Sequence, residues 1–364
     1  MEKWGGDSTQ VIKTGKYLKL LGVSVEISSD LIPDLKGFDL IHVFNIQTSK
    51  TGIQQMRHIK DYGIPVALSP IYWDLRNIDR MAAYIYPYGE KKIVSILGHI
   101  HPLIPVMARR IVKYPIRQQL WKWSKSMLEM ADLLLPNSYA ELEVLALLFN
   151  APHLRAKSMI VPNSVDIEEM FNESNIACEQ VKSFGLPEEY VLEVGRIEPA
   201  KGQSTLIKAL KQDKDIPLVF VGRGLNTSYG KYCVKLGKDR GNTYFIDEVP
   251  HDLLSYFYRG ARVHALPSLR ESPGLVTLEA AVFGANCVVS YHGPVNEYFG
   301  TAAWYCNPLD TESIRSTILE AWNASRTYEL GDRVRKEFTW ENTAKSTLAG
   351  YEQLLSKQTK RLFE

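Results

Sequence analysis

The chain holds 364 residues, 45% of them hydrophobic and 23% charged, with a formal net charge of +2. That balance is globular, and it excludes a disordered polyelectrolyte or a nucleic-acid-coating protein. No apolar run approaches the ~18 residues that cross a bilayer, and no signal peptide opens the chain. The length predicts two domains of about 170 residues. Cys178, Cys233, Cys287 and Cys306 are scattered with no Cys-x-x-Cys pair. They read as reduced thiols in a cytoplasmic protein rather than a disulfide frame or a metal site.

In chain order, Gly5-Gly6-Asp7-Ser8 leads into a predicted helix over residues 9–21. Residues 23–27, 39–44 and 64–69 read as strands, and their alternation with helical stretches predicts parallel sheets. Beyond the third strand stand Tyr72, Trp73 and Asp74. The two rings are candidates to stack on a sugar, or core; Asp74 is a candidate to orient an acceptor hydroxyl, or a helix cap. Between residues 91 and 125 come eight basic residues (Lys91, Lys92, Arg109, Arg110, Lys113, Arg117, Lys122, Lys125), no acid, many aliphatics, and Trp121 and Trp123. Such a segment suits a surface that lies against anionic lipid, each nearby cation contributing about 1 kcal/mol. The plainer reading is a helix with an apolar core side and a solvated basic side. His99 and His101 read as surface residues or lipid-phosphate contacts, and no histidine pair has metal-ligand spacing. The charge is uneven: +6 over residues 1–165 and −4 over 166–364.

The second half opens with a strand at 190–194, a helix at 205–210 and a strand at 217–222, a βαβ unit of about thirty residues. Arg196 and Lys201 lie in its first turn, right after Gly195. Ligands of parallel sheets bind at the carboxyl ends of strands, so this cation pair faces a ligand crevice. Val221-Gly222-Arg223-Gly224 is not a Gly-x-Gly-x-x-Gly turn after a first strand, which disfavours a nicotinamide enzyme. Asp213-Lys214-Asp215 has the Asp-x-Asp form of a metal site but precedes a strand, at the wrong end for a ligand, and is predicted to be a solvated loop. In Glu271-Ser-Pro-Gly-Leu-Val-Thr-Leu-Glu279, Ser272 is a predicted N-cap and Pro273 a first helical residue, with Gly284 as the stop. The helix start at Gly274, Leu275 and Val276 would aim N–H groups at an anion. Glu279 could accept two hydrogen bonds from a cis-diol such as ribose. On one continuous helix the two glutamates would stand about 80° apart, so the Pro-Gly kink is what would turn Glu271 toward the same cavity. The bland alternative is an amphipathic helix with solvated acids.

These motifs, taken together, resemble the retaining glycosyltransferases of the GT4 family. Gly195-Arg196…Lys201-Gly202 matches that family's Gly-Arg…Lys-Gly turn, and Glu271…Glu279 its paired glutamates. Residues 161–166 (Val-Pro-Asn-Ser-Val-Asp) are similar to its interdomain segment, with Ser164 in place of glycine. Residues 130–138 resemble the last strand of its first domain, and Phe338-Thr339-Trp340-Glu341 the start of its closing helix. The resemblance implies an α/β protein of GT-B fold: two facing Rossmann-like domains with parallel sheets and an interdomain cleft. Residues 1–165 would bind the acceptor, 166–340 the nucleotide-sugar, and 341–364 would return as a helix to the first domain.

The resemblance also implies roles. Arg196 and Lys201 would stabilise the leaving diphosphate, and Glu271 the donor sugar's hydroxyls and oxocarbenium-like charge. Glu279 would hold the ribose. Gly195, Gly222, Gly274, Leu275 and Val276 would line the donor, with Gly5 and Gly6 beside the phosphates or acceptor. It implies a hexosyltransferase that retains anomeric configuration and needs no metal or other cofactor. The donor would be GDP-mannose in preference to a UDP-sugar. The acceptor would be a glycan or lipid-linked, in surface polysaccharide or glycolipid synthesis. The protein would be cytoplasmic or peripheral on the inner membrane face, with no nucleic-acid partner. Three departures stand out. Relatives carry a strand ahead of the Gly-Gly turn, where this chain has four residues, so the sheet lacks that strand or the sequence is truncated. No histidine follows the strand at 64–69. Asn296 and Glu297 occupy the place of a loop glutamate, with roles left open. A non-catalytic relative would be expected to have lost Arg196, Lys201, Glu271 or Glu279, and all four are present; an epimerase on the same fold would want a different acidic and histidine set.

Overall fold

The computed structural model describes residues 6–72, 103–171 and 183–363, with the side chains of 6–7, 103–116 and 358–363 left aside. Gly5, Trp73, Asp74, His99, His101, Cys178 and residues 91–102 of the basic segment fall outside it. The chain forms two compact units, with changes of unit among the described residues at Ile111/Val112, within the helix Leu103–Met130, at Ser164/Val165 and at Glu337/Phe338.

The first unit has a parallel three-stranded sheet, β1 (Ile41–Phe44), β2 (Val66–Ser69) and β3 (Leu133–Leu134), in that spatial order. Around it stand α1 (Gly6–Leu20), α2 (Ser49–Asp61), α3 (Leu103–Met130) and α4 (Tyr139–Leu148). β2 is central and wholly buried, as an all-apolar Val-Ala-Leu run requires. Its start is fixed by Asp132, which accepts from the Val66 amide at 2.9 Å and from Lys60 Nζ at 3.0 Å. The closing helix (Trp340–Phe363) packs on α1, and its Tyr351 hydroxyl meets His42 Nδ1 at 2.7 Å. His42 Nε2 meets Ser69 Oγ at 2.9 Å, and burial pushes this imidazole down to about 3. Ser164, at the usual glycine position, places its hydroxyl 2.6 Å from that of Thr343 on the same helix.

One predicted strand is absent. Residues 23–27 are irregular, although Val-Ser-Val-Glu-Ile has the alternating pattern. Pattern alone does not make a strand; a ladder partner does. A cavity of about 500 Å³ lies against the outer side of β1, lined by α1, residues 23–28 and Tyr351 and Leu355. Among the described residues, 23–27 therefore have no strand beside them to pair with.

The second unit is built on a six-stranded parallel sheet of order β6-β5-β4-β7-β8-β9. The strands are β4 (Tyr190–Val194), β5 (Leu218–Val221), β6 (Thr243–Ile246), β7 (Ala261–Leu266), β8 (Asn286–Ser290) and β9 (Trp304–Cys306). Its helices include α5 (Gln203–Ala209), α6 (Ser228–Arg240), α7 (Leu254–Gly260), α8 (Leu275–Val282) and α9 (Thr311–Asn323). Strand order reverses between β4 and β7, the position where open sheets bind ligands. At the opposite end, the buried Arg240 guanidinium donates to the carbonyls of Leu210, Asp213, Ile216, Gly241 and Asn242 at 2.6–3.1 Å. Asp213 is no freely solvated acid. Arg315 grips both its oxygens at 2.8 Å and lowers its pKa, which ties the predicted loop to α9.

Candidate functional site

The carboxyl ends of β4 and β7 carry the site. After β4 the chain turns through Gly195 and Arg196 into a short 3₁₀ turn (Pro199–Lys201). Gly202 follows at φ 82, and a Cβ there would fall 2.6 Å from the Pro267 carbonyl oxygen. Only glycine lets this turn press against the loop after β7. The Ala200 carbonyl accepts from the Leu269 amide at 2.8 Å, which joins the two loops directly. Gly222 ends β5, and a Cβ there would lie 2.0 Å from the Gly195 carbonyl oxygen. Gly195 differs: a Cβ there would make ordinary contact with the Lys201 side chain, its Cε at 3.8 Å.

That closeness delivers Lys201 to Glu271. Lys201 Nζ donates to Glu271 Oε1 at 2.6 Å, with the two side chains 14% and 7% exposed. A pair so nearly buried is strongly destabilised when one partner is removed, because the other is left unpaired. Arg196 behaves otherwise. Its side chain is 56% exposed and reaches Glu198 at 3.2 Å, so it remains in solvent beside the pair. Gln203 Nε2 holds the Arg196 carbonyl at 3.0 Å and fixes the backbone there.

The helix after Glu271 starts later than its sequence suggests. Gly274, at φ 97, is the N-cap and Leu275 the first residue of α8; the Ser272–Pro273 peptide is cis. A left-handed residue between Pro273 and Leu275 interrupts right-handed helix, so Ser272 and Pro273 do not serve as N-cap and first residue. Glu271 accordingly lies in the loop, free of the helical azimuth. Leu275 and Val276 still present first-turn amides, which have no intrahelical acceptor. The stop is as expected, with Gly284 left-handed at φ 77 after Phe283.

Glu279, inside α8, is buried. Tyr258 of α7 donates its hydroxyl to Oε2 at 2.6 Å, and His251 Nε2 meets Oε1 at 3.1 Å. Burial pushes this carboxyl up, but the bonds and charge of His251 and the Tyr258 bond outweigh it, and the net shift is downward. Two buried residues beneath the site were not singled out in the sequence. Glu193 of β4 makes no hydrogen bond of ordinary geometry on either oxygen among the described residues; burial raises its pKa well above the carboxylate range, although Lys201 and the nearby Gln203 side chain pull it down. Lys201 and Glu271 both act on it electrostatically. His264 of β7 has neither ring nitrogen bonded and is pushed by burial down to about 3; it feels Glu279 and Lys201. A glutamate in an otherwise apolar strand was a legible anomaly. His251 and Tyr258 gave no signal, because their meaning depends on a loop and helix folding back over α8.

The acceptor candidates fare less well. Gly6 opens α1. Tyr72 is half-buried, its ring edge-on to Phe149 at 5.5 Å and its amide bonded to Glu141 Oε1 at 2.6 Å, so the ring packs against the core of the first unit. Glu141 also takes the Asn137 amide at 2.6 Å, and burial lifts it to about 7. Trp121 stacks on Phe149 at 5.3 Å, and Trp123 packs on the same core. Both tryptophans are half-buried. Among the described residues no helix is long and apolar enough to cross a membrane.

The architecture is that of GT-B glycosyltransferases. Sucrose-phosphate synthase from Thermosynechococcus elongatus superposes with a TM-score of 0.68 at 18% identity, over 97% of this chain and 94% of that one. HepE from Anabaena, solved in complex with UDP-glucose, gives 0.62 at 16%, over 88% and 79%. Residues 165–336, which hold every residue of the site at β4 and β7, match the family Glycosyl transferases group 1. Similar sequences include O-antigen chain mannosyltransferase B of Escherichia coli, 30% identical over 45% of this chain and 46% of that protein. D-inositol 3-phosphate glycosyltransferase of Mycolicibacterium smegmatis is 27% identical over 64% and 55%. The chain thus spans about half the length of the curated relatives it matches.

Proposed function

We propose that this chain is a retaining, metal-independent hexosyltransferase that moves a sugar from a nucleoside-diphosphate sugar to a glycan or lipid-linked acceptor. The observation that carries this reading is the nearly buried Lys201–Glu271 pair at the strand-order reversal, with Arg196 exposed beside it. As the glycosidic bond breaks, negative charge grows on the diphosphate oxygens. Lys201 meets that charge as a fixed point charge, and Arg196 closes on it with its planar fork. The first amides of α8 add donors. Glu271, released in part from Lys201 as the phosphates arrive, turns to the sugar's hydroxyls and its oxocarbenium-like charge, and Glu279 takes the ribose. The acceptor oxygen attacks the anomeric carbon from the face the diphosphate leaves, and a phosphate oxygen accepts the acceptor's proton.

GDP-mannose is the favoured donor, supported by the resemblance to O-antigen mannosyltransferases; the UDP-glucose complex of HepE supports the UDP-sugar alternative. The enzyme works in the cytoplasm or on the inner membrane face, making surface polysaccharide or glycolipid, and meets anionic lipid through residues 91–125. Since Trp121 and Trp123 are packed inward, that attraction is electrostatic and weakens with salt. Turnover of GDP-mannose and UDP-glucose with a lipid-linked oligosaccharide, in chelator and with the anomeric product read by NMR, tests the reading. Retained configuration and chelator-insensitive turnover are expected; an inverted product or lost activity in chelator overturns it.

A further inference from the structure

Glu279 is the acid assigned to the donor ribose in the proposed function, and the role of its two partners rests on that assignment. Its two oxygens are held from different sides. Tyr258, on Oε2, is 1% exposed, and its ring lies against that of Phe283, so this bond comes from the core. His251, on Oε1, opens a 3₁₀ turn (His251–Leu253). Its side chain is 55% exposed while that of Glu279 is 8% exposed. The imidazole is therefore the solvent-side cover of a buried carboxylate. A hydroxyl that reaches Glu279 from solvent has to share Oε1 with His251 or displace it.

We propose that these two residues divide the ribose subsite: Tyr258 is a positioning residue that fixes the carboxylate, and His251 is a proton-dependent competitor that yields Oε1 to a ribose hydroxyl when the donor binds. Imidazoles change charge between about pH 5 and 8, and the charged form makes the stronger, charge-assisted bond. Donor binding then releases a proton and weakens on acidification. The neighbouring groups do not mimic this. Burial holds the Tyr258 hydroxyl well above its ordinary range and His264 at about 3, so neither titrates in that window. Among the described residues, the charges here include Lys201, from the turn after β4, which acts on His264, and Asp252, beside His251 in its own turn.

The experiment is calorimetric titration of UDP, GDP and their 2′-deoxy forms into wild type, His251→Ala and Tyr258→Phe at pH 5.5 and 8. Because the nucleotide's own phosphate titrates here, the reading is the difference between variant and wild type. Wild type is expected to prefer the ribonucleotide. Its affinity should fall about tenfold more on acidification than that of His251→Ala, the size of one hydrogen bond to a charged group. His251→Ala should keep the ribose preference and bind more tightly at pH 5.5; Tyr258→Phe should keep the pH slope and lose the preference. Equal slopes in wild type and His251→Ala, or weaker binding by that variant at both pH values, overturn the proposal while leaving the ribose assignment standing. Equal affinity of wild type for ribo- and deoxynucleotide overturns the assignment itself, and the proposal with it. If Tyr258→Phe does not fold, the His251 arm decides alone.

Discussion

The two sheets of this chain show what a parallel α/β design needs at its edges. In the six-stranded sheet the central pair, β4 and β7, is flanked on both sides, and the loops at their carboxyl ends are pinned to one another through Ala200–Leu269 and Gly202–Pro267. In the three-stranded sheet β1 is an edge with a cavity of about 500 Å³ against it, and the segment across that cavity stays irregular. The first arrangement brings Lys201 Nζ to 2.6 Å from Glu271 Oε1. The second leaves a strand-like sequence without a ladder. Precision at the site comes from neighbours rather than from local propensity.

The largest expected effect separates fixed from mobile charge within the six-stranded unit. Lys201→Ala, Glu271→Ala and Arg196→Ala should each lose about 10²–10³ in turnover, as for removal of one transition-state charge partner. Lys201→Ala should also lose about 3 kcal/mol or more of stability by stranding Glu271, while the half-exposed Arg196→Ala melts like wild type. Steady-state kinetics beside thermal melts check this; turnover near wild type in any of the three breaks it. Next comes Arg240→Ala, which removes one donor from each of five carbonyls, leaves those of Leu210 and Ile216 without the guanidinium, and should cost about 3 kcal/mol or more in chemical denaturation.

Glu193 gives a smaller, pH-dependent effect with a definite sign. Its folded pKa is raised by burial, so the folded state binds more protons than the unfolded one above the ordinary carboxylate pKa, and stability falls as pH rises from there. Glu193→Gln should therefore raise Tm more at pH 8 than at pH 4.5; a gain independent of pH would place the glutamate in a charged, solvated state. The smallest effect belongs to the exposed loop that follows residues 23–27 in the first unit. Ile32 is 74% exposed, and Ile32→Lys should shift stability by less than about 0.5 kcal/mol. A larger loss would mean that this segment is packed after all.

Much of the second unit was legible in the sequence. The strand at 190–194 appears with those bounds, and the helix and strand after it shift by one or two residues at their ends, because apolar runs between turn residues leave few alternatives. Lys201 and Glu271 were legible as candidates, but not as partners, since their meeting depends on glycines that let two loops touch. The start of α8 misled because Ser-Pro is a strong local helix signal and the left-handed Gly274 two residues on overrides it. Tyr72 and Trp121 were ambiguous for another reason: an aromatic ring reads the same in sequence whether it faces a sugar, a lipid or Phe149.

The central claim is that charges built into the protein hold the diphosphate of the donor at the β4–β7 reversal. Calorimetric titration of UDP and GDP in excess chelator, wild type against Lys201→Ala, tests it most directly. The account predicts binding that the chelator leaves intact and that falls at least about tenfold in the variant, the equivalent of one hydrogen bond to a charged group. Affinity lost in chelator, or unchanged in Lys201→Ala, would contradict it.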